Sequence, residues 1–209
     1  MLDWHPRARI TTALTRYEAP VCLTHHDCGR YQCMLDIGGN SGEFATPVCR
    51  KHGAIKATVF DLPVVCDIGA EHLRQEPEAD RITFIRGNAL TDPLPMGFDL
   101  VTFKSMLHDW PEREARRLIL QGTRSLVPGA TLLIFERGRL ELSERTPPYS
   151  MLPLLLFSRA FRSPDIYVDQ LRELGFQKIG VQQVDLETPF CLVTGVRGGE
   201  RAHPAERER

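Results

Sequence analysis

Short apolar runs alternate along this chain with longer stretches in which apolar residues recur every three or four positions. "CMLDI" (33–37), "IKATVFD" (55–61), "RITFIRG" (81–87), "FDLVTFK" (98–104) and "ATLLIFER" (130–137) are nearly continuous apolar runs bounded by turn residues, and they read as buried strands. The stretches between them read as helices. "EFATPVCRKHG" (43–53) follows the first strand, with Pro47 set to kink or delay it. Val64–Gln75 is the second helix. Glu112–Leu126 is the third, with Leu118, Ile119 and Leu126 as its core stripe. It stops at Pro128-Gly129, which cannot continue a helix. Ahead of the first strand, His5–Tyr17 fits an amphipathic helix with Ile10, Leu14 and Tyr17 on one face.

Strands that are apolar on both faces and alternate with helices predict an α/β fold with a parallel sheet covered on both sides. The end of the chain differs. After a helix at Ile166–Leu174, "FQKIGVQQVDL" (176–186) and "PFCLVTGVR" (189–197) are strand-like and separated by only a few residues. So short a connection cannot be a parallel crossover, so these two strands pair antiparallel. The expectation is a Rossmann-like, mostly parallel sheet of seven strands with an antiparallel last strand. Three segments follow: 1–32 as an N-terminal helix and polar loop, 33–197 as the main domain, and 198–209, "GGERAHPAERER", as a disordered tail without an apolar face.

Composition narrows the function classes. The 209 residues carry 26 basic and 27 acidic side chains, a net charge of −1. That balance gives no reason to expect a nucleic-acid or membrane partner. The longest apolar run, Met151–Phe157, is far too short to span a bilayer, and "MLDWHPRARITTAL" has no apolar signal core. A cytoplasmic protein is expected. The six cysteines are scattered without a C-x-x-C pair and read as reduced thiols. "CLTHHDCGRYQC" gathers Cys22, His25, His26, Asp27, Cys28 and Cys33, all capable of binding zinc. Its spacing fits no familiar zinc module, so it reads as a polar loop and no metal is expected.

"LDIGGNSGEF" closes the first strand. Gly38, Gly39 and Gly42 let the backbone approach a ligand at the strand's carboxyl end. Asp61 ends the second strand, 19 residues past Gly42, where an acid can take the two hydroxyls of a ribose. Together they describe an adenosine site. The pattern is D-x-G-x-N-x-G, and Asp36 ahead of the glycines would repel a pyrophosphate but suit a cationic amine. S-adenosylmethionine (SAM) has that amine and no phosphate, so SAM is expected over NAD.

"LDIGGNSGEF", "FDLP", "RGNAL", "FKSMLHDW" and "LLIFER" together resemble, in order and spacing over about residues 1–196, the SAM-dependent small-molecule O-methyltransferases, the group of caffeate and hydroxyindole O-methyltransferases and bacterial polyketide enzymes. The resemblance implies a class I methyltransferase fold, with 33–197 as the SAM-binding catalytic domain. It implies that Gly38 lies against the methionine part of SAM, that Asp61 holds the ribose with Leu62 beside it, and that Lys104 sits near the cofactor. Where the family has Gly-Asp-Met after the third strand, this chain has Gly87-Asn88-Ala89. Asn88 can still accept a hydrogen bond from the adenine amino group, and Ala89 offers less apolar contact.

The same resemblance implies His108 as general base, supported by Glu136. A phenol is mostly protonated at neutral pH, and a histidine near its ordinary pKa suits removal of that proton. Glu136 ends the fifth strand and His108 follows the fourth, so neighbouring strands would bring them together. On residues alone His108 can also be a plain strand-end histidine. Asp109 has two readings, a catalytic one and an N-cap, because Asp109-Trp110-Pro111-Glu112 looks like a helix start. Trp110 reads as packing under that helix.

Two departures from the family pattern stand out. A second supporting glutamate is replaced near Phe161 in "SRAFRSPDIY", and the family's N-terminal dimerisation domain of roughly a hundred residues has no counterpart here. The dimer state is therefore not predicted. The stretch Arg137–Pro164 is too long for a plain connection. In the family it lines the acceptor site, which makes Met151, Leu155, Phe157 and Phe161 candidates for contacting a small-molecule acceptor. The expected function is transfer of a methyl group from SAM to a hydroxyl of an aromatic or polyketide-like compound. The alternative is a SAM-binding domain without methyl transfer.

Overall fold

The structure is a computed structural model that describes residues 4–139, 161–186 and 188–199, with side chains from Ala13 onward. Its elements are α1 (Trp4–His25), β1 (Cys33–Ile37), α2 (Ala45–Lys51), β2 (Lys56–Asp61), α3 (Pro63–Leu73), β3 (Ile82–Arg86), β4 (Phe98–Lys104), α4 (Glu112–Ser125), β5 (Leu126–Arg137), α5 (Pro164–Glu173), β6 (Phe176–Asp185) and β7 (Pro189–Arg197). The seven strands form one sheet in the order β3-β2-β1-β4-β5-β7-β6. β1 pairs in parallel with both β2 and β4, while β7 lies antiparallel between β5 and β6. The α/β architecture, the mostly parallel sheet and the antiparallel last strand are as expected.

Side chains alternate across each strand and sort the core into two layers. Met34, Val59, Leu100, Leu133 and Phe135 face the layer built with α1 and α2. Leu35, Ile37, Phe60, Val101, Phe103, Leu132 and Ile134 face the other, built with α4 and α5. Leu118 and Ile119 of α4 and Leu126 at the start of β5 are buried as the core stripe requires.

Three local expectations change. The first helix runs on to His25, so Cys22 and His25 lie on it and not in a loop. It also buries a different face. Leu14 and Tyr17 are exposed, while Glu18, Ala19, Cys22 and Leu23 are buried. On that face Ala19, Cys22 and Leu23 join the apolar core, and Glu18 pairs with two cations at the ends of β4 and β5. β5 begins at Leu126 and passes through Pro128-Gly129 instead of starting after it, with Gly129 at φ +80° and a register shift against β4 absorbing the turn. Pro47 falls in the first turn of α2, where its missing N–H costs little.

The six cysteines are free thiols, five of them buried. Among the described residues no three His, Cys, Asp or Glu side chains gather as a metal site, and no helix is long and apolar enough to cross a membrane. Met151, Leu155 and Phe157 lie outside the described residues, as does the tail from 200 on.

Candidate active site

The carboxyl ends of β4 and β5 carry Lys104, Glu136 and Arg137, and strand alternation separates them. Glu136 shares the parity of Leu132 and Ile134 and turns to the α4/α5 side. Lys104 and Arg137 turn to the α1 side. Glu136 is fully buried. Its Oε1 accepts hydrogen bonds from the backbone N–H groups of Met106 (2.7 Å) and Leu107 (2.6 Å). Its Oε2 lies 2.7 Å from Nδ1 of His108. With Oε2 as acceptor, Nδ1 carries the proton and Nε2 presents a lone pair.

The turn that holds His108 is tightly built. Beyond β4, Ser105 adopts φ +49°, a left-handed conformation unfavourable for a side chain other than glycine, and its N–H donates to the Phe135 carbonyl at 2.9 Å. Leu107–Asp109 then form one 3-10 turn. Burial of the His108 imidazole opposes its charged form. The Glu136 carboxylate, with Asp109, opposes that effect, and the net pKa is raised. Asp109 Oδ1 is 3.7 Å from His108 Nε2.

The capping reading of Asp109 does not hold. The N-cap residue of α4 is Pro111, which makes no side-chain capping hydrogen bond. Asp109 instead ends the 3-10 turn, with its carboxylate near the histidine. Trp110 packs against the apolar layer of α4 and α5.

The glycine turn lies beside this turn. Gly38 adopts φ +69° and donates its N–H to the Phe60 carbonyl at 2.9 Å. The Met106 side chain covers it so closely that a Cβ at position 38 would come within 2.7 Å of the Met106 Cε. Gly42 also has positive φ, at +79°. Asp61 closes the turn from β2: Oδ2 accepts the Asn40 N–H (2.9 Å) and Oδ1 the Leu62 N–H (2.7 Å). Each oxygen keeps lone pairs for a further donor. Burial raises the Asp61 pKa, and the two backbone bonds work against that rise.

Asp36 is enclosed. Its Oδ1 accepts the Thr102 hydroxyl at 2.7 Å, and among the described residues its Oδ2 has no hydrogen-bond partner. Gly39 lies directly over that oxygen. Burial pushes the Asp36 pKa up to about 7, against the pull of Thr102 and Lys104. Asn88 uses its Oδ1 to accept the Leu90 N–H at 3.0 Å, and its own N–H donates to Asp92 at 2.8 Å. Ala89 packs at the edge of the α4/α5 layer.

The Lys104 side chain lies on the α1 side of the sheet, the side of Asp36, whose pKa it pulls down. Its ammonium donates to the Thr15 hydroxyl (2.8 Å) and pairs with Glu18 of α1, which also pairs with Arg137. These groups fit an adenosine cofactor with a cationic amine: an acid with spare acceptors at β2, glycines where a Cβ would clash, and an unpartnered buried carboxylate oxygen beneath the turn.

One residue at this site, Arg162, escaped the sequence reading, and a second, Phe161, has a contact that the reading did not foresee. Arg162 donates from Nη1 to the Leu107 carbonyl at 2.9 Å and from Nη2 to the Trp110 carbonyl. Phe161, expected only as an acceptor contact, sets its ring edge-on to His108, with centroids 5.5 Å apart and planes at 81°. Both contacts reach the histidine turn from the far side of residues 140–160, a separation that local patterning does not report.

A seven-stranded sheet with β7 reversed, a glycine turn with an acid at the end of β2, and a partly buried His–Glu pair beside it define a class I methyltransferase fold. A sequence profile of the O-methyltransferase domain matches residues 11–176, and the chain belongs to that family. It is 28% identical over 166 residues to the chicken (Gallus gallus) acetylserotonin O-methyltransferase, covering 77% of this chain and 47% of that protein. It is 35% identical over 103 residues to 3-hydroxy-5-methyl-1-naphthoate 3-O-methyltransferase of Streptomyces sahachiroi, covering 49% and 30%. The human N-acetylserotonin methyltransferase, solved in complex with SAM, superimposes with a TM-score of 0.72 and 25% identity over 92% of this chain and 56% of that one. The chain thus spans less than half the length of the two curated relatives.

Proposed function

We propose that this chain is the catalytic part of a SAM-dependent methyltransferase that methylates a hydroxyl of an aromatic or polyketide-like small molecule. The observation that carries the reading is the contact of Gly38 with Met106, two residues before His108. It sets the glycine turn directly beside a histidine whose Nε2 is left as the basic atom.

When bound, SAM supplies a methyl group already activated by its sulfonium charge. The residues of this chain then have separate tasks. Asp61 holds the ribose hydroxyls, and Gly38, Gly39 and Gly42 admit the cofactor backbone. His108 Nε2 takes the proton of the acceptor hydroxyl as the oxygen becomes nucleophilic. Glu136 fixes the tautomer through Nδ1 and stabilises the imidazolium that forms. Asp109, 3.7 Å from Nε2, favours the same charged state. Phe161 limits the swing of the imidazole from one side.

The test has two steps. Calorimetry with SAM and with NAD should give binding to SAM alone. A panel of phenols, hydroxyindoles and polyketide-like hydroxyl compounds, read by mass spectrometry, should then show one methyl-mass gain. SAM binding with no product across the panel favours a cofactor-binding domain without transfer, and no SAM binding ends both readings.

A further inference from the structure

The His108 turn is gripped from two sides, and only one side belongs to the base pair described above. Glu136 takes the N–H groups at the turn's start, those of Met106 and Leu107. At its end, the Leu107 carbonyl already accepts the Trp110 N–H, and Pro111 next in line has no N–H to give. Arg162 supplies what is missing there, with one fork of its guanidinium on the Leu107 carbonyl and the other on the Trp110 carbonyl. Its backbone is itself anchored by a bridge to Gly138, just past Glu136. Anion at the amide end and cation at the carbonyl end is the arrangement that a short helical turn favours electrostatically.

We propose that Arg162 is a positioning residue for the His108 base: its guanidinium straddles the Leu107 and Trp110 carbonyls and, opposite Glu136, holds the turn that presents the imidazole. This rests on the reading of His108 as base. Arg162 contacts no reacting atom; it acts through the turn. A planar two-pronged donor is needed because the two carbonyls are three residues apart, and a lysine offers a single point of charge. The charged and titratable groups around His108 are Glu136 and Arg137 from β5, Asp109 on its own turn, and Arg162 and Tyr167 from the α5 side. Replacing Arg162 by lysine keeps that set of charges and removes only the fork.

The experiment uses the full chain with 15N-labelled histidine, His108 being assigned from its missing signal in His108→Gln. The wild type should show His108 as a single tautomer, protonated at Nδ1, with a raised titration midpoint. Arg162→Lys should give mixed tautomers and a midpoint moved down toward the ordinary histidine value, with SAM binding unchanged. On an acceptor found by the panel above, kcat should fall about 10- to 100-fold with the KM for SAM constant. Guanidinium ion added to Arg162→Ala should restore the single tautomer. An unaltered His108 tautomer and midpoint in Arg162→Lys, whatever its melting temperature, overturns the proposal. If Arg162→Ala does not fold, Arg162→Lys decides alone. If SAM does not bind the wild type, the functional reading fails, while the His108 signal still decides the role of Arg162.

Discussion

Oε2 of Glu136 sits 2.7 Å from Nδ1 of His108, while Oε1 of the same carboxylate takes two backbone N–H groups of the turn that carries the histidine. One buried acid therefore sets both the place and the tautomer of the imidazole. Glu136→Gln separates the two tasks. The amide oxygen can keep the backbone bonds, but the amide nitrogen then faces Nδ1 as a donor. That moves the imidazole proton to Nε2 and removes the basic lone pair. The expected loss is roughly 10³–10⁴-fold in kcat, with SAM affinity and melting temperature near wild type. His108→Ala should lose about 10²–10⁴-fold. Turnover of the acceptor measured by mass spectrometry checks both, and turnover unchanged in His108→Ala removes the histidine from the mechanism.

The pH profile has a definite sign. Glu136, with Asp109, raises the His108 pKa in the folded chain against the opposing effect of burial. A base must be neutral, so kcat rises with pH, with a midpoint above the ordinary histidine value of about 6.5. Stability follows the opposite course. The raised pKa contributes stability that is fully present below pH ~6.5 and is lost as pH rises through the folded value. Glu136→Gln leaves burial in place and removes the carboxylate, so its midpoint falls. An NMR titration of His108 in both chains measures the difference.

Asp61 carries the cofactor prediction. Its oxygens already hold the Asn40 and Leu62 N–H groups, so it shapes the turn before any ligand arrives. Asp61→Ala should weaken SAM binding about 10- to 100-fold, the loss expected when hydrogen bonds to a charged acceptor disappear. Calorimetry measures this directly, and unchanged affinity rejects Asp61 as the ribose ligand.

Much of this was legible in the sequence because it is periodic or punctuated. The β1 and β4 runs were placed to the residue, and the glycines marked the turn, because short apolar segments between breakers leave few alternatives. The reversed β7 followed from a connection too short to cross over. What the sequence hid was long-range. The parity of β4 sends Lys104 to the α1 side, where its partner Glu18 lies 86 positions away in sequence. Leu14 and Tyr17 fit a buried stripe by spacing, but the face that is buried carries Ala19, Cys22, Leu23 and the ion-paired Glu18. Arg162 could not be foreseen, because its partners are backbone carbonyls, and every residue has one.

That ion cluster is testable. Glu18 is buried between Lys104 and Arg137, and burial lowers the Lys104 pKa against the pull of Glu18. Glu18→Gln leaves two cations at the ends of β4 and β5 without their shared anion. Removing one partner of a buried pair costs about 3–5 kcal/mol. Urea denaturation should show that loss, with α1 releasing first in hydrogen exchange. Replacing Tyr17, exposed on the same helix, should change stability by less than about 0.5 kcal/mol.

Asp36 sharpens the last prediction, because its position creates a conflict between stability and binding. It is fully buried, its Oδ2 lacks a partner among the described residues, and its pKa is pushed up to about 7. A carboxyl with a raised folded pKa favours folding while protonated and disfavours it once ionised. Its contribution is fully present below pH ~4 and is lost as pH rises toward 7. Asp36→Asn keeps the Thr102 bond and cannot ionise, so it should raise stability at pH 8 by about 2–4 kcal/mol and change little at pH 4. If the acid also faces the cationic amine of SAM through the turn, the same substitution weakens SAM binding at pH 8. If the carboxyl is only sealed beneath Gly39, binding is unchanged while stability still rises. Melting curves and calorimetry on one variant, at two pH values, therefore separate a cofactor contact from a buried acid that supports the turn.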